Sequence, residues 1–375
     1  MQRPIRDFSD VRRLVVKIGS SSLASHTGEP NLQQMETLVH QLAQIHLQGV
    51  EVLLVTSGAV GVGFHELGYV QKPKTIPEKQ AAAAVGQGLL MHMYETFFSQ
   101  YNVLVGQILL TREDFTNRIR FLNARNTLYT LLGFGCIPII NENDTVVVEE
   151  IKLGDNDTLA ARVAGLVDAD LLLMLSDIDG LYTADPRNNP DASIIYMVTE
   201  MNEELEHMAG GVGSAVGTGG MATKMQAARM AMHFGLPMVL ANAVEENIVS
   251  RVLAGEPIGT VFWPTVRWEN KKRWIAYSAK VQGKLLVDAG AVRALVKGGK
   301  SLLPSGITAV TGNFEMGNIV SIIGPNGTEI GRGIVNYPAE EVQLIKGLQT
   351  KEIQDKLGHK DYDEVIHRNN LVLDV

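Results

Sequence analysis

Residues 11–21 read VRRLVVKIGSS, an apolar run that ends in a lysine, a glycine and two serines. Consecutive apolar residues, many of them β-branched, are typical of a strand that is buried on both faces of a parallel sheet. The same kind of run returns along the chain in VEVLLVTS (50–57), NVLVGQILL (102–110), CIPIIN (136–141), DLLLMLS (170–176) and PMVLAN (237–242). We therefore expect these runs to form the strands of one sheet.

Between the runs, apolar residues recur at spacings of three and four, which is the pattern of helices with one buried face. It predicts helices at 31–48, 78–100, 120–132, 156–167 and 219–234, each bounded by Gly, Asn or Pro. Strands that alternate with helices in this way predict an α/β fold, with a mostly parallel sheet sandwiched by helices.

The pattern changes near residue 264, where PTVRWENKKRWIAYSAK (264–280) has no apolar period. Beyond it, short runs separated by glycine, such as NIVSIIGPNG (318–327), predict a small module of β-strands. We expect a domain at 1–264, a linker at 265–280 and a small β-rich domain with a C-terminal tail at 281–375.

The composition is that of an ordinary soluble protein, with 45% hydrophobic residues and a formal net charge of −8 over 375 residues. A negative net charge disfavours nonspecific attraction to nucleic acid or to an anionic membrane. The first ten residues, MQRPIRDFSD, lack the apolar run of a signal peptide, and no later stretch has eighteen consecutive apolar residues. We therefore expect a cytoplasmic protein with no membrane partner.

Two common phosphate-binding motifs are absent or weak. A Walker A loop would need a glycine at Ala294 to match Gly299-Lys300-Ser301. The run GTGGMA (217–222) fits a dinucleotide-binding fingerprint, but no strand precedes it, as that motif requires. A phosphate site, if present, is therefore built in another way.

Two turns at strand ends could serve that purpose, because ligands of open parallel sheets bind beyond the carboxyl ends of the strands. Lys17 precedes a turn of Gly19 and two serines that could hold a phosphate, although a lysine at a strand end is also an ordinary surface residue. Ser57 opens a run of small residues, GAVGVG, that lets a ligand approach the backbone. Tight packing of a helix on a strand would explain these glycines equally well.

Polar clusters follow the later strands. NEND (141–144) comes after CIPII, and GDNDT (154–158) opens a helix, where Asn156 or Asp157 could simply cap it. The loop SDIDGLYTADPR (176–187) has the length and place to hold a nucleotide base and ribose. Six glycines between 210 and 220 precede MATK (221–224), which places a threonine and a lysine at a helix start, where both could meet phosphate oxygens.

Taken in order, the stretches VVKIGSS, LVTSGAVGVG, KQAAAAVGQ, NENDTV, GDNDTLAA, LSDIDGLYTADPR and GTGGMATK resemble the amino-acid kinase family, and DAGAVRALVKGGKSLLPSGI resembles the PUA module. The resemblance implies an enzyme that transfers the γ-phosphoryl group of ATP to a carboxylate. NENDTV and GDND favour free L-glutamate as the acceptor. The product would be γ-glutamyl 5-phosphate, at the first step of proline biosynthesis.

The resemblance also implies a role for each matching residue. The phosphoryl group would contact the ammonium groups of Lys17 and Lys224, held in place by Asp157. Glutamate would be bound by Ser57, Asp144 and Asn156, with Asn141 and Asp155 near its pocket. ATP would be bound by the two lysines and by Ser176, Asp177, Thr218, Gly219, Gly220, Met221, Ala222 and Thr223.

The resemblance further implies Mg²⁺ that arrives with ATP rather than at a protein metal site, a homo-oligomer that is a dimer or tetramer, and proline as a feedback inhibitor. Other family members act on N-acetylglutamate, aspartate, carbamate or UMP, and these stay open as alternatives. A PUA-based RNA-binding protein is the alternative from another class. It is not favoured, because residues 281–375 contain 10 Lys and Arg against 11 Asp and Glu.

Overall fold

A computed structural model describes residues 6–23, 29–69, 73–146, 156–186, 188–201, 205, 220–264 and 281–373. The chain divides into two compact units, one of residues 1–114 and 119–267, the other of residues 115–118 and 268–375. The linker predicted at 265–280 lies outside the described residues, so the domain boundaries stay a prediction.

The first unit contains an eight-stranded sheet with the strand order β3-β4-β2-β1-β5-β7-β8-β6. The strands are β1 (Arg13–Ile18), β2 (Glu51–Val55), β3 (Val105–Leu110), β4 (Ile137–Glu142), β5 (Leu171–Ser176), β6 (Met197–Val198), β7 (Met238–Asn242) and β8 (Thr260–Phe262). Neighbouring strands pair in parallel except for β7 and β8, which pair antiparallel. The mostly parallel sheet predicted from the apolar runs is confirmed.

Helices alternate along the chain with the strands of this sheet. They are α1 (Ser20–Leu23), α2 (Leu32–Leu47), α3 (Ala59–Glu66), α4 (Ile76–Ser99), α5 (Arg112–Thr116), α6 (Arg118–Gly133), α7 (Asn156–Leu166), α8 (Met221–His233) and α9 (Ile248–Leu253). The five helices predicted from periodicity correspond to α2, α4, α6, α7 and α8, with ends that differ by two residues or fewer. The sequence pattern missed the others, because α1, α5 and α9 are short and α3 contains two glycines.

The central strands are buried on both faces, as continuous apolar runs require. Leu14, Val15 and Val16 of β1 and Leu172 of β5 have no exposed surface. Local signals start the helices: the hydroxyl of Thr75 accepts a hydrogen bond from the Glu78 N–H at 3.4 Å, and the Glu78 carboxylate accepts one from the Thr75 N–H at 3.0 Å. This capping box satisfies donors that the first turn of α4 would otherwise leave unpaired.

Helices α3 and α4 cross with their backbones in contact. A Cβ atom added to Gly63 would lie 1.7 Å from the carbonyl oxygen of Ala82, and one added to Gly86 would lie 1.8 Å from that of Ala59. Only hydrogen fits at these two positions, so tight helix packing accounts for Gly63 in the run GAVGVG. The crossing also brings α4 against the turn that follows β2.

The second unit has its own sheet, with the strand order β10-β9-β11-β12-β13. The strands are β9 (Val281–Val287), β10 (Ile307–Gly312), β11 (Ile319–Ile323), β12 (Glu329–Ile334) and β13 (Leu371–Leu373). The short helices are α10 (Ala289–Val296), α11 (Ala339–Ile345) and α12 (Ile353–Leu357), joined by 3-10 turns at Pro304–Gly306, Thr350–Glu352 and Arg368–Asn370. The predicted β-rich character is confirmed. None of the helices in the described part of the chain combines the length and apolar character that a bilayer crossing requires.

Candidate active site

The candidate site lies where four neighbouring parallel strands end. Strands β4, β2, β1 and β5 are adjacent in the sheet, so their carboxyl ends share one edge. Lys17 is near the end of β1, Ser57 follows β2, Asn141 is near the end of β4 and Ser176 ends β5. Residues that are far apart in the sequence therefore meet along this edge.

Two lysines meet one carboxylate at the end of β1. The ammonium of Lys17 lies 2.5 Å from Oδ1 of Asp157, and the ammonium of Lys224 lies 3.2 Å from Oδ2 of the same residue. All three side chains are buried, with 5%, 2% and 6% of the surface of Lys17, Asp157 and Lys224 exposed. The predicted convergence of positions 17 and 224 is therefore present in the fold.

The charge of Asp157 is stabilised by its surroundings. Burial raises the pKa of its carboxyl, but the charges of Lys17 and Lys224 and hydrogen bonds from Lys17 and Thr223 outweigh burial and hold that pKa below its ordinary value. Asp157 also lies in the first turn of α7, where the helix dipole favours a negative charge. The site therefore holds one anion between two cations.

Helix α8 places Lys224 in this cluster. Gly220 precedes the helix with extended backbone, and Lys224 lies in its first turn. The hydroxyl of Thr223 is 2.8 Å from Oδ2 of Asp157 and 2.9 Å from the carbonyl oxygen of Gly220. Thr223, which the sequence assigned to ATP, thus contacts Asp157 and connects the starts of α7 and α8.

The turn after β1 places Gly19 beside the ammonium of Lys17. A Cβ atom added to Gly19 would lie 3.6 Å from Nζ of Lys17. Any side chain longer than a methyl group at this position would extend over the ammonium. A glycine at this position therefore leaves the space above the ammonium free of a side chain from residue 19.

A network of side-chain amides lies beside the charged cluster. Nδ2 of Asn156 is 2.8 Å from the carbonyl oxygen of Thr56, 2.9 Å from the hydroxyl of Ser57 and 2.9 Å from Oδ1 of Asn141. The side chain of Asn156 thus reaches across to two strand ends and does not cap α7. The structure brings together three of the residues that the sequence assigned to glutamate: Ser57, Asn141 and Asn156.

The network continues to a residue that sequence reasoning did not assign to the site. Nδ2 of Asn141 is 2.8 Å from Oε1 of Gln87 on α4, and Gln87 is 9% exposed. The available signal was a glutamine on the buried face of a helix rich in alanine and glycine, in KQAAAAVGQ. Nothing in that stretch indicates which strand end the glutamine meets.

Asp144 lies in the turn after β4, and the hydrogen bonds of the amide network do not include it. Burial raises the pKa of its carboxyl from 3.8 to about 6. A carboxylate that is removed from water and has no cation beside it is stabilised strongly when a positively charged group binds to it. Asp144 is therefore a candidate for binding a positively charged ligand group.

The nucleotide residues predicted from the sequence are only partly described. The hydroxyl of Ser176 is buried and lies 3.0 Å from Oδ1 of Asp177, whose side chain is exposed. Gly220, Met221 and Ala222 form the start of α8. Asp155, Thr218 and Gly219 lie outside the described residues. Within the described ranges, no group of three or more His, Cys, Asp or Glu is placed to hold a metal ion.

Comparison with known proteins identifies the family of each part of the chain. Residues 12–242 match the amino acid kinase family, and residues 283–357 match the PUA domain. The glutamate 5-kinase of Moorella thermoacetica is 57% identical over 367 residues, which cover 98% of this chain and 97% of that protein. The glutamate 5-kinase of Carboxydothermus hydrogenoformans is 56% identical over 367 residues, covering 98% of each chain.

Among solved structures, UMP kinase from Bacillus anthracis is 19% identical, has a TM-score of 0.46 and covers 68% of this chain and 97% of that chain. The glutamate 5-kinase of Caldanaerobacter subterraneus is 54% identical over 362 residues, covering 96% of this chain and 97% of that protein. Because the family match spans more than half of the chain and these curated relatives match nearly all of it, the chain belongs to the amino acid kinase family and carries a C-terminal PUA domain.

Proposed function

We propose that this protein is a glutamate 5-kinase, which transfers the γ-phosphoryl group of ATP to the γ-carboxylate of L-glutamate. The observation that carries the proposal is the pair of buried ammonium groups, Lys17 and Lys224, held on the two oxygens of Asp157 at the carboxyl edge of the sheet. Two fixed cations next to a hydrogen-bonding amide network suit an anionic acceptor and an anionic phosphoryl donor that must be brought together. The names of the curated relatives supply the acceptor.

The chemistry requires charge stabilisation and not a general base. A glutamate side chain titrates near pH 4.3, so the attacking carboxylate is already ionised at neutral pH. The barrier comes from bringing this anion in line with the γ-phosphoryl group while negative charge spreads over the equatorial oxygens. Lys17 and Lys224 would neutralise that charge, and one preorganised donor of this kind is typically worth about 3 kcal/mol.

Asp157 would act as the spacer of the two lysines. Two ammonium groups repel each other, and a carboxylate that contacts both through different oxygens holds them at a fixed distance. The transferring group would then meet cations that need no rearrangement. Asp157 itself would stay ionised, because its pKa is lowered.

The acceptor amino acid would lie against the amide network and Asp144. Ser57, Asn156 and Asn141 supply hydroxyl and amide groups at neighbouring strand ends. The desolvated carboxyl of Asp144 suits the α-ammonium of glutamate. Asp155 belongs to this proposed pocket by sequence only.

ATP would bind along β5 and α8, through Ser176, Asp177 and the segment 218–224. Mg²⁺ would enter with ATP and supply further positive charge at the phosphates. The main-chain N–H groups at the start of α8 are suitably placed donors for an anion, as at other helix N-termini.

The direct test uses ATP, Mg²⁺, hydroxylamine and a panel of acceptors. Hydroxylamine traps an acyl phosphate as a hydroxamate, so the assay reports the bond that the proposal requires. We expect a hydroxamate signal with L-glutamate and little with L-aspartate or N-acetyl-L-glutamate, and we expect ADP formation with L-glutamate and little with UMP. A hydroxamate formed only from aspartate or N-acetylglutamate would contradict the substrate and keep the reaction type, whereas no ADP formation with any acceptor would contradict the kinase assignment.

The product would be an activated acyl phosphate that water hydrolyses, so a following enzyme would have to consume it soon after release. This agrees with the first step of proline biosynthesis in the cytoplasm. Proline as a feedback inhibitor and a dimer or tetramer as the working assembly belong to the same proposal. Inhibition of the hydroxamate signal by proline and the mass in solution would test them separately.

A further inference from the structure

The amide network has a fixed direction that two backbone groups determine. The carbonyl oxygen of Thr56 can only accept a hydrogen bond, so the side-chain atom of Asn156 that lies 2.8 Å from it must be the NH₂ group. The backbone N–H of Glu142 can only donate, so the side-chain atom of Asn141 that lies 2.9 Å from it must be the oxygen. Neither amide can be rotated by half a turn without losing a bond to the backbone.

The orientation of these two amides also determines which atom of Gln87 meets Asn141. The Asn156 NH₂ donates to the Asn141 oxygen at 2.9 Å, and the Asn141 NH₂ donates to the Gln87 oxygen at 2.8 Å. Three carboxamides thus form a polarised row. An acceptor on Gln87 is what keeps the Asn141 NH₂ satisfied in this orientation.

The two ends of the row are unsatisfied. Oδ1 of Asn156 and Nε2 of Gln87 are both buried and have no hydrogen-bond partner among the described residues. A buried polar atom without a partner is costly, so such atoms in a folded protein point to an absent water or ligand. The Asn156 end lacks a donor, which the ammonium group of an amino acid would supply.

The position of Gln87 on α4 is rigid. Its neighbour Gly86 packs on the backbone of Ala59, where an added Cβ atom would lie 1.8 Å from the carbonyl oxygen. Ala59 begins α3, directly after the turn that contains Ser57. The helix crossing therefore fixes Gln87 relative to the strand end that carries the acceptor residues.

We propose that Gln87 is a positioning residue that locks the carboxamide of Asn156 with its oxygen toward the amino group of the acceptor. The proposal rests on the proposed function, because it names how the acceptor pocket recognises an ammonium group. Gln87 acts through Asn141 and Asn156. Its removal changes the affinity for the amino acid and leaves the lysine cluster and the nucleotide residues in place.

The test compares Gln87→Met and Gln87→Glu with a matched control. Methionine has a similar length but no acceptor, whereas glutamate keeps an oxygen that accepts from Asn141 in either protonation state. The control is Gln41→Met, since Gln41 is also buried, at 8% exposure, and its Oε1 accepts a hydrogen bond from the Val249 N–H at 3.0 Å. Gln41 lies outside the candidate site.

We expect Gln87→Met to raise the KM for L-glutamate about tenfold, the scale of one lost hydrogen bond with its partner left unpaired, with kcat and the KM for ATP changed less than threefold. Gln87→Glu should recover most of the glutamate KM. Gln41→Met should lower the melting temperature and leave both KM values unchanged. Glutamate binding measured by calorimetry without ATP should follow the same order.

The wild-type protein separates failure of this inference from failure of the proposed function. If it forms no glutamyl hydroxamate, the proposed function fails and the inference with it. If it is active and Gln87→Met leaves the glutamate KM unchanged, or raises the KM for ATP equally, only the inference is overturned. A Gln87→Glu variant whose KM for L-glutamate lies about tenfold above the wild-type value would also overturn it, and this comparison with the wild type remains valid if Gln87→Met does not fold.

Discussion

The carboxylate of Asp157 lies 2.5 Å from the ammonium of Lys17, although Asp157 is in the first turn of a helix and Lys17 is near the end of a strand that is distant in the sequence. Its second oxygen contacts Lys224 at 3.2 Å. Neither contact is an isolated surface ion pair, because all three side chains are buried. The arrangement concentrates positive charge on a protein whose net charge is −8.

Replacement of Lys224 tests the charge that this cluster supplies. We expect Lys224→Met to lower kcat about a hundredfold or more, because loss of one preorganised donor costs about 3 kcal/mol in the transition state. The fold should be retained, as judged by circular dichroism. Lys351→Met, at an exposed lysine of the second unit, is the control and should leave kcat unchanged. Unchanged turnover in Lys224→Met would remove this residue from the mechanism.

Replacement of Asp157 tests the spacing of the cations. In Asp157→Asn, Lys17 and Lys224 would face each other without an anion, and breaking a buried ion pair typically costs about 3–5 kcal/mol. We expect a loss of unfolding free energy on that scale in urea at pH 7, together with a fall in kcat. An equally stable variant would show that water or another group replaces the carboxylate.

The pH dependence of that loss has a definite sign. Because the pKa of Asp157 is lowered in the folded state, its contribution to stability is fully present above its ordinary value of 3.8 and is lost as the pH falls through the lower folded value. The stability difference between wild type and Asp157→Asn should therefore stay constant from pH 8 to about pH 5 and shrink only at more acid pH. A difference that vanishes near pH 6 would contradict the assignment.

The contribution of Asp144 to stability should depend on pH in the opposite direction. Its pKa of about 6 lies above the ordinary 3.8, so the folded protein binds more protons than the unfolded chain between these values, and stability falls as the pH rises through that window. Asp144→Asn should therefore raise the unfolding free energy at pH 8 by about 3 kcal/mol at most. The same change should weaken glutamate binding, since the charge that destabilises the fold is the one proposed to hold the ammonium.

The enzyme kinetics provide the second half of this test. For the wild type, kcat/KM for glutamate should decrease as the pH falls through about 6, because the protonated carboxyl of Asp144 cannot pair with an ammonium. In Asp144→Asn the value should be low, and this inflection should be absent between pH 5 and 7. An unchanged inflection in the variant would assign it to another group.

The sequence predicted the parts of this site that depend on residues adjacent in the chain. Lys17 was found because a lysine followed by Gly19 stands at the end of an apolar run, and Lys224 because it opens a helix after glycines. Strand ends and helix starts are local features, so the sheet edge that gathers them follows from the fold class. The pairing of both lysines with Asp157 rested on family resemblance, since no local pattern encodes it.

The parts that escaped prediction depend on which elements pack together. Gln87 lies in the middle of a helix, and only the crossing of α3 and α4 brings it to Asn141. The contact of the Thr223 hydroxyl with Asp157 was not predicted, because it depends on α7 and α8 starting side by side, and the assignment of Thr223 to ATP stays a prediction. The raised pKa of Asp144 reflects burial, which its sequence neighbours do not reveal.

The crossing of α3 and α4 can be tested at Gly86. Gly86→Ala would place a methyl group 1.8 Å from the carbonyl oxygen of Ala59, and a backbone atom cannot rotate away, so the two helices would have to separate. Overpacking of this severity is expected to cost about 3 kcal/mol or more in urea unfolding. Gly88→Ala, on the same helix with nothing within 4 Å of the added Cβ, is the matched control. It should gain about 0.5–1 kcal/mol from helix propensity.

The activity of Gly86→Ala then shows whether the helix crossing holds the glutamate-binding residues in place. Separation of the helices would move Gln87 and the turn at Ser57 away from Asn141 and Asn156, so the KM for glutamate should rise more than the KM for ATP. Gly88→Ala should leave both values unchanged. If Gly86→Ala were as stable and as active as the control, α4 could shift without cost. The helix crossing would then not hold Gln87 in place, and it could not explain the order of the three carboxamides.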